Sequence, residues 1–555
     1  MLNGTWASRR AIFAMVPRDM RTADPTRGQD FVDGYIALAG SSKDVEVGHL
    51  FEEPTPSKRF ARALHNFSWL HHLRAHNSPD AAQLALGFAL EWISQRDEHP
   101  PLAFTPQVRA RRALCLTNHA AFLLDEAEPA DYRLLMSTIL EDARNAFSRR
   151  DLVRDPAERC RVILACTSVA HALADHLPLR RLTMAALDTS LRDTFHLDGG
   201  TVTRRISDLP VLLADMIALK ALMEARTLAV PPRLTQTIAN ATRMLRMLRH
   251  PDGSLARFQG GMSVANMAPD LVAAVLSHDT DRGPLPVLAR QSGYARLEAS
   301  RSMVLVDCGE VPPPSAASDA HASCLAFEWS HNGRKIITNS PLLPLSSHEG
   351  SETGIEPRRT AAHSTLSVDG VSSALFAEDA EATPLISNGL NVVYDRDESA
   401  STRAMVARHT GYRKRFGVDH ERMIALSENG NMLEGRDRLQ LSNGGLARTA
   451  RAPYTVHFQV QQGAIIQRES NRRLSLHISG YTISFEVDGG EVAVEDRLDR
   501  PGYRGPARSK QITVTSTAAQ HPELNWRFIV QPTSVSDPDL GNGASQDDDP
   551  TSSPD

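Results

Sequence analysis

No stretch of the 555 residues approaches the roughly 18 consecutive apolar residues of a membrane span. Basic residues hold no excess either. The 61 lysines and arginines stand against 66 aspartates and glutamates, a net charge of −5, which argues against general nucleic-acid binding. Aromatic residues make up only 5%, leaving no obvious stacking platform for sugars. Cysteine is scarce and odd in number: Cys115, Cys160, Cys166, Cys308 and Cys324 lie in apolar segments without metal-ligand spacing. They read as buried free thiols. A secretory core is also missing. Arg9 and Arg10 precede an apolar run from Ala11 to Val16 that is shorter than the about 7–15 residues such a core needs, so the residues alone predict a soluble, unexported chain.

What is present divides the chain. The length exceeds what one core organises, and 41% hydrophobic with 23% charged residues is an ordinary globular composition, so two or more domains are expected. Pro17, Pro25, Pro54 and Pro56 break up residues 1–55, which read as an extension packed on the next domain. Residues 56–265 read as helical throughout. Phe60, Leu64, Phe67, Leu70 and Leu73 mark one buried helical face, and Ala81–Ile93 continues the pattern. Val162–Leu177 is apolar on nearly all sides and predicts a deeply placed helix. Leu209–Leu222 has Ser207 or Asp208 as its expected cap. Leu234, Ile238, Ala241, Leu245 and Leu248 give a further helix stopped by Pro251 and Gly253. No strands alternate with these helices, which excludes a doubly wound sheet. Periodicity does not choose between a solenoid and a closed ring of hairpins.

Residues 266–290, rich in Gly, Pro and Asp, read as a linker, and 291–531 as short antiparallel strands with hairpins at Asn332-Gly333, Asn429-Gly430 and Asp488-Gly489-Gly490. The acidic tail 532–555, with Asp547-Asp548-Asp549, is expected to be disordered. One stretch stands out as a candidate site. Asp319 and His321 open a strand through Leu325, Phe327 and Trp329; the return strand ends at Asn339; and His363 sits at another loop-to-strand junction. Two histidines at strand mouths with Asn339 between them suggest a site. Hydrogen bonding at strand ends is the other reading open for both.

The pattern His-x-x-x-Leu-x-Phe before a hairpin, followed by His-Ser-Thr-Leu-x-Val-Asp-Gly, resembles the heparinase II/III-type polysaccharide lyases. Arg21-Thr22-Ala23-Asp24-Pro25, Asp198-Gly199-Gly200 and Gly411-Tyr412-Arg413 ahead of His420 agree in order and spacing, so that the resemblance covers roughly residues 20–530. It implies a multidomain α + β fold: an N-terminal incomplete (α/α) toroid with a cleft, then a C-terminal antiparallel β-sandwich domain. It also implies β-elimination on an acidic, uronic-acid-containing polysaccharide, and work in the cell envelope or periplasm.

The resemblance assigns residues as well. His321 and His363 match zinc-binding histidines, with Asn339 where the family has an aspartate; the neutral amide implies weak or absent zinc. Asp319 stands at the position of a catalytic histidine, and an ordinary carboxylate with a pKa of about 4 is a weak base. The family's catalytic tyrosine after Asp198-Gly199-Gly200 is missing. Arg204, Arg205 and Arg359 are the candidates to neutralise a substrate carboxylate, with Asp319, His321 and Tyr412 for proton transfer. Asn118-His119 invites comparison with an Asn-His pair of some lyases, but its spacing favours helix-surface polarity, and His171 reads as a core histidine. Three functions follow: a lyase, a non-catalytic carbohydrate-binding or scaffold protein on the lyase fold, and, more weakly, a glycoside hydrolase.

Overall fold

The computed structural model describes residues 12–46, 49–52, 54–125, 127–174, 176–259, 269–281, 283–339, 356–377, 385–387, 389–397, 403–442, 452–478, 480–499 and 507–532. The expected acidic tail beyond 532 lies outside them. From Lys58 to Leu276 the described regular elements are helices; from Leu288 onward they are strands, short 3-10 turns and one four-residue helix, Arg413–Phe416.

The helices pack as successive antiparallel hairpins around Pro156–Ala172, which touches Pro106–Asn118, Leu177–Thr194 and Asp208–Ala225. Its burial on nearly every side follows from its apolar circumference. Phe60, Leu64, Phe67, Leu70 and Leu73 are all buried, but they belong to two helices, Lys58–His65 and Leu70–His76. Phe67 lies between them at φ 58° and stacks on Trp69 at 5.1 Å. The periodicity therefore survives a break in the backbone. Ser207 makes no capping bond on Asp208–Ala225, and Asp208 Oδ2 accepts from Thr203 Oγ1 at 2.7 Å and Arg205 Nε at 3.0 Å.

The stretch read as a linker carries a helix, Pro269–Leu276. Leu271, Val272 and Val275 of that helix are buried in a core cluster that also takes Tyr294, Met303, Leu305 and Ala326 from the first strands. The two halves thus share apolar packing instead of being joined by free chain.

The β region holds two large antiparallel sheets that share one apolar core, and a two-stranded sheet of Leu375–Phe376 and Leu385–Ile386. One has eight strands, in the order Val392–Asp397, Arg403–His409, Val418–Leu426, Met432–Leu441, Glu523–Pro532, Tyr481–Val487, Arg473–Ile478 and Ile465–Ser470. The other has nine, running from Glu491–Asp499 through Ala507–Thr517, Pro453–Val460, Arg334–Thr338, Phe327–His331, Ser302–Asp307 and Tyr294–Ala299 to Leu288–Ala289, with Leu366–Val368 also paired to Pro453–Val460. Several aromatics meet between them. Phe327 stacks on Trp526 at 5.4 Å, and Phe458 meets Phe485 and Phe528 edge-on.

Asn332 (φ 46°) and Gly333 (φ 76°) form the left-handed two-residue turn that a tight hairpin requires. Asn429-Gly430 likewise joins two paired strands. Asp488-Gly489-Gly490 does not close a hairpin: it carries the chain from Tyr481–Val487 in one sheet to Glu491–Asp499 in the other. Its glycines answer to crowding, since a Cβ on Gly489 would lie 2.6 Å from the His521 ring.

Candidate functional site

The Asp198-Gly199-Gly200 loop faces the β region. Asp198 Oδ2 accepts the Gln291 and Ser292 amides at 2.9 and 2.8 Å. A Cβ on Gly199 would fall 2.0 Å from the Asn240 carbonyl, and one on Gly200 2.0 Å from Ser292 Oγ, so only glycine allows this approach. Downstream, Arg204 takes a left-handed φ of 56°. Its guanidinium donates to the carbonyls of Ser292 at 2.9 Å, Glu310 at 2.8 Å and Gly293 at 3.2 Å, and pairs with the fully buried Asp307. It also covers the Tyr294 ring at 4.9 Å, while the Tyr294 hydroxyl returns a hydrogen bond to the Arg204 carbonyl. The expectation that Arg204 holds substrate is therefore corrected. Every direction of its fork is spent on joining the toroid to the sheets.

Arg205 goes elsewhere. It pairs with Asp155 at 2.7 Å and Asp208 at 3.0 Å, and Asp319 of the β region approaches to 3.7 Å. Burial works against its charge, but these carboxylates outweigh burial and raise its pKa. One of its nitrogens, Nη2, is buried without a hydrogen-bond partner among the described residues. The Asp319 side chain is 54% exposed. Arg358, buried, donates from Nε to the carbonyl of the neighbouring Ala320 at 2.9 Å and feels the Asp319 charge, as does the exposed Arg59. Arg359, the candidate chosen from sequence, is exposed, whereas its neighbour Arg358 is the one set beside Asp319.

A chain of paired charges leads inward from this mouth. Glu158 bonds Arg161 at 2.7 Å and senses Arg205 and Arg62. Deeper still, Arg21 bridges Asp215 and Asp19, each at 3.0 Å, and Arg111 reaches Asp215 at 3.3 Å. His119 Nε2 lies 3.6 Å from Asp19. Asn118 and His119 are buried, not on a helix surface, and Asn118 Oδ1 and His119 Nδ1 have no hydrogen-bond partner among the described residues. His71 sits in the same interior, where burial first and then the adjacent His72 push its pKa down to about 3.

The two site histidines do converge. His321 Nδ1 and His363 Nε2 are 3.0 Å apart in an imidazole–imidazole hydrogen bond, and both rings are buried. Burial takes His363 down to about 4 and His321 well below its ordinary value, so both are neutral near pH 7. Asn339 does not join them as an ion ligand. Its Oδ1 accepts the Ser364 amide at 2.8 Å and its Nδ2 donates to Glu328 at 3.2 Å. The donor set therefore does not fit zinc: two nitrogens bond each other, and the third candidate is committed elsewhere. His321, buried against its partner, is not placed to exchange protons with a ligand. Tyr412 is likewise buried, with its hydroxyl on the Leu366 carbonyl at 2.7 Å and its pKa raised by burial, which removes it from any rim. His171 is a core histidine bonded to the Thr167 carbonyl at 2.8 Å.

Sequence reasoning missed Asp155, Glu158, Arg161, Asp208 and Arg358. Asp208 reads locally as a helix cap and the others as solvated charges, and only the fold brings them together near Arg205 and Asp319.

Residues 281–527 match the family described as heparinase II/III-like, C-terminal. FtsZ-localized protein C of Caulobacter vibrioides is 28% identical over 439 residues, 76% of this chain and 72% of that protein. Among solved structures, heparinase III superposes with a TM-score of 0.69 at 13% identity, covering 95% of this chain and 88% of that one. Heparan sulfate lyase HepC from Pedobacter heparinus gives 0.56 at 12% identity, over 95% and 86%. Residues 281–527 are thus a heparinase II/III-like C-terminal domain, and the helical toroid with paired sheets has the fold of heparinase III.

Proposed function

We propose that this protein binds an acidic polysaccharide at the toroid mouth and holds it without cleaving it. The observation that carries the reading is the Arg205–Asp319 approach across the two halves, with Arg358 and Arg59 around the same carboxylate. β-Elimination needs three things: a cation to neutralise the uronate, a base for the C5 proton and an acid for the leaving oxygen. The arginines meet the first need. For the other two, the residues expected from sequence are otherwise engaged. Tyr294 and Tyr412 are buried with their hydroxyls on carbonyl oxygens, His321 is bonded to His363, and the Asp319 carboxylate lies 3.7 Å from Arg205. A net-negative chain must attract a polyanion through a local patch, and this is such a patch.

The lyase reading keeps one observation in its favour, the exposure of the Asp319 carboxylate where the family carries its base. One experiment separates the two. The protein is incubated with alginate, heparin, heparan sulfate and hyaluronan while retention on immobilised glycan and the ultraviolet absorbance of an unsaturated product are both followed. Retention without absorbance is expected; steady growth of absorbance establishes cleavage. The relative named for its localisation with FtsZ suggests where this protein works, and a fluorescent fusion in the native cell is expected to gather with FtsZ.

A further inference from the structure

We infer that Asp319 is an internal stand-in for the oxyanion of a ligand, and that it sets the affinity of the mouth by occupying the place a sugar carboxylate or sulfate takes. The inference rests on the binding function proposed above and deepens it. Four carboxylates surround the mouth arginines, and three of them are fixed. Asp155 and Asp208 make close contacts with Arg205 at 2.7 and 3.0 Å, and Glu158 binds Arg161 at 2.7 Å. All three sit on toroid segments that hold them in place. Asp319 differs in every respect: it comes from the β region, its side chain is 54% exposed, and its 3.7 Å approach to Arg205 is too long for a hydrogen bond. It is the carboxylate whose departure costs least. Its departure also leaves the most for a ligand.

Arg205 keeps a buried Nη2 with no partner among the described residues, an N–H that Asp319 does not reach. Arg358 is itself more than nine-tenths buried and is tied by Nε to the backbone beside Asp319. Once Asp319 swings outward, the mouth gains one unit of positive charge and offers a donor already desolvated by the fold. An incoming oxyanion restores the charge balance and makes the missing hydrogen bond. Binding is then an exchange of one carboxylate for another anion, which keeps affinity modest and favours ligands that present several anionic groups together.

The test uses inorganic sulfate and glucuronate as probes on the full chain, at constant ionic strength, by calorimetry and by the shift in thermal midpoint. Asp319→Asn preserves shape and removes the competing charge. It is expected to bind sulfate at least ten-fold more tightly than wild type, and Asp319→Ala is expected to do the same. Adding Arg205→Lys, which keeps the charge but loses the planar fork, should cancel most of the gain. Equal or weaker sulfate binding by both Asp319 variants overturns the stand-in role. Heparin retention by wild type tests the underlying function separately. Sulfate gain without heparin retention leaves the stand-in role intact and removes the glycan reading. Retention without sulfate gain does the reverse.

Discussion

Arg204 and Arg205 are neighbours in sequence and opposites in use. Arg204 enters a dry seam, where three carbonyls and Asp307 consume its donors. Arg205 turns to the mouth, where its third carboxylate is half exposed and one nitrogen stays unbonded. The chain turns between them, with Arg204 at a left-handed φ of 56°. Arg358 and Arg359 repeat the arrangement, one buried beside Asp319 and one exposed. In these two pairs one arginine is a structural member and its neighbour faces a different environment.

The comparison breaks first at the seam. Arg204→Ala leaves the buried Asp307 with only the neutral donors Gln259, Ser323 and the Gly309 amide, and removing one partner of such a pair costs about 3–5 kcal/mol. A fall of that size in urea unfolding, with the two halves losing cooperativity, is expected. A loss below about 1 kcal/mol would mean that Arg204 is no more structural than a surface arginine.

A smaller effect is expected at Asn339. Its amide links Ser364 to Glu328, and Glu328 in turn bonds His250 at 2.8 Å and faces Lys335 at 3.3 Å. Burial works to raise the Glu328 pKa, but Lys335 and His250 hold it well below the usual carboxylate range. Asn339→Asp would set a second carboxylate beside an ionised one, at a cost of about 1–3 kcal/mol seen as a lower thermal midpoint. Zinc titration of wild type should give no saturable heat, since Asn339 is already committed.

Buried histidines of the interior give stability a pH dependence. His363 is held to about 4 by burial, and His71 to about 3. His321, His409 and His420 are lowered by burial too, the last against the pull of Asp437. Each is neutral when folded and takes up a proton when unfolded below about pH 6.5. Stability is therefore complete above that value and falls as pH drops toward 4, with proton uptake on unfolding. His363→Gln should flatten the slope; an unchanged slope would assign the acid sensitivity to other groups.

Local sequence carried the fold well where structure is local. Asn332-Gly333 gave its hairpin, and the apolar circumference of Pro156–Ala172 its depth. It failed where one signal serves two geometries. Asp488-Gly489-Gly490 has turn chemistry, but tight backbone is needed equally by a crossing between sheets. The site was less legible. His321 and His363 were paired correctly by their place at strand mouths, whereas the partners of Arg204 lie about a hundred residues away at Asp307. Asn118-His119 has the composition of a solvated helix end and is buried only because the N-terminal segment brings Asp19 over it.

The finest test of the comparison lies at Arg59, which is exposed and feels Asp319 without being built into the seam. Surface substitutions away from caps and buried pairs usually change stability by no more than about 0.5 kcal/mol, so Arg59→Ala should unfold almost as wild type does. Its contribution to a polyanion is long-range and screened, because ions at physiological strength damp such fields over about 8 Å. Heparin retention should therefore weaken at low salt and converge with wild type as salt rises. A loss that persists at high salt would make Arg59 a direct ligand contact. No loss at any salt would confine the mouth to Arg205 and Arg358, the arginines the fold has already desolvated.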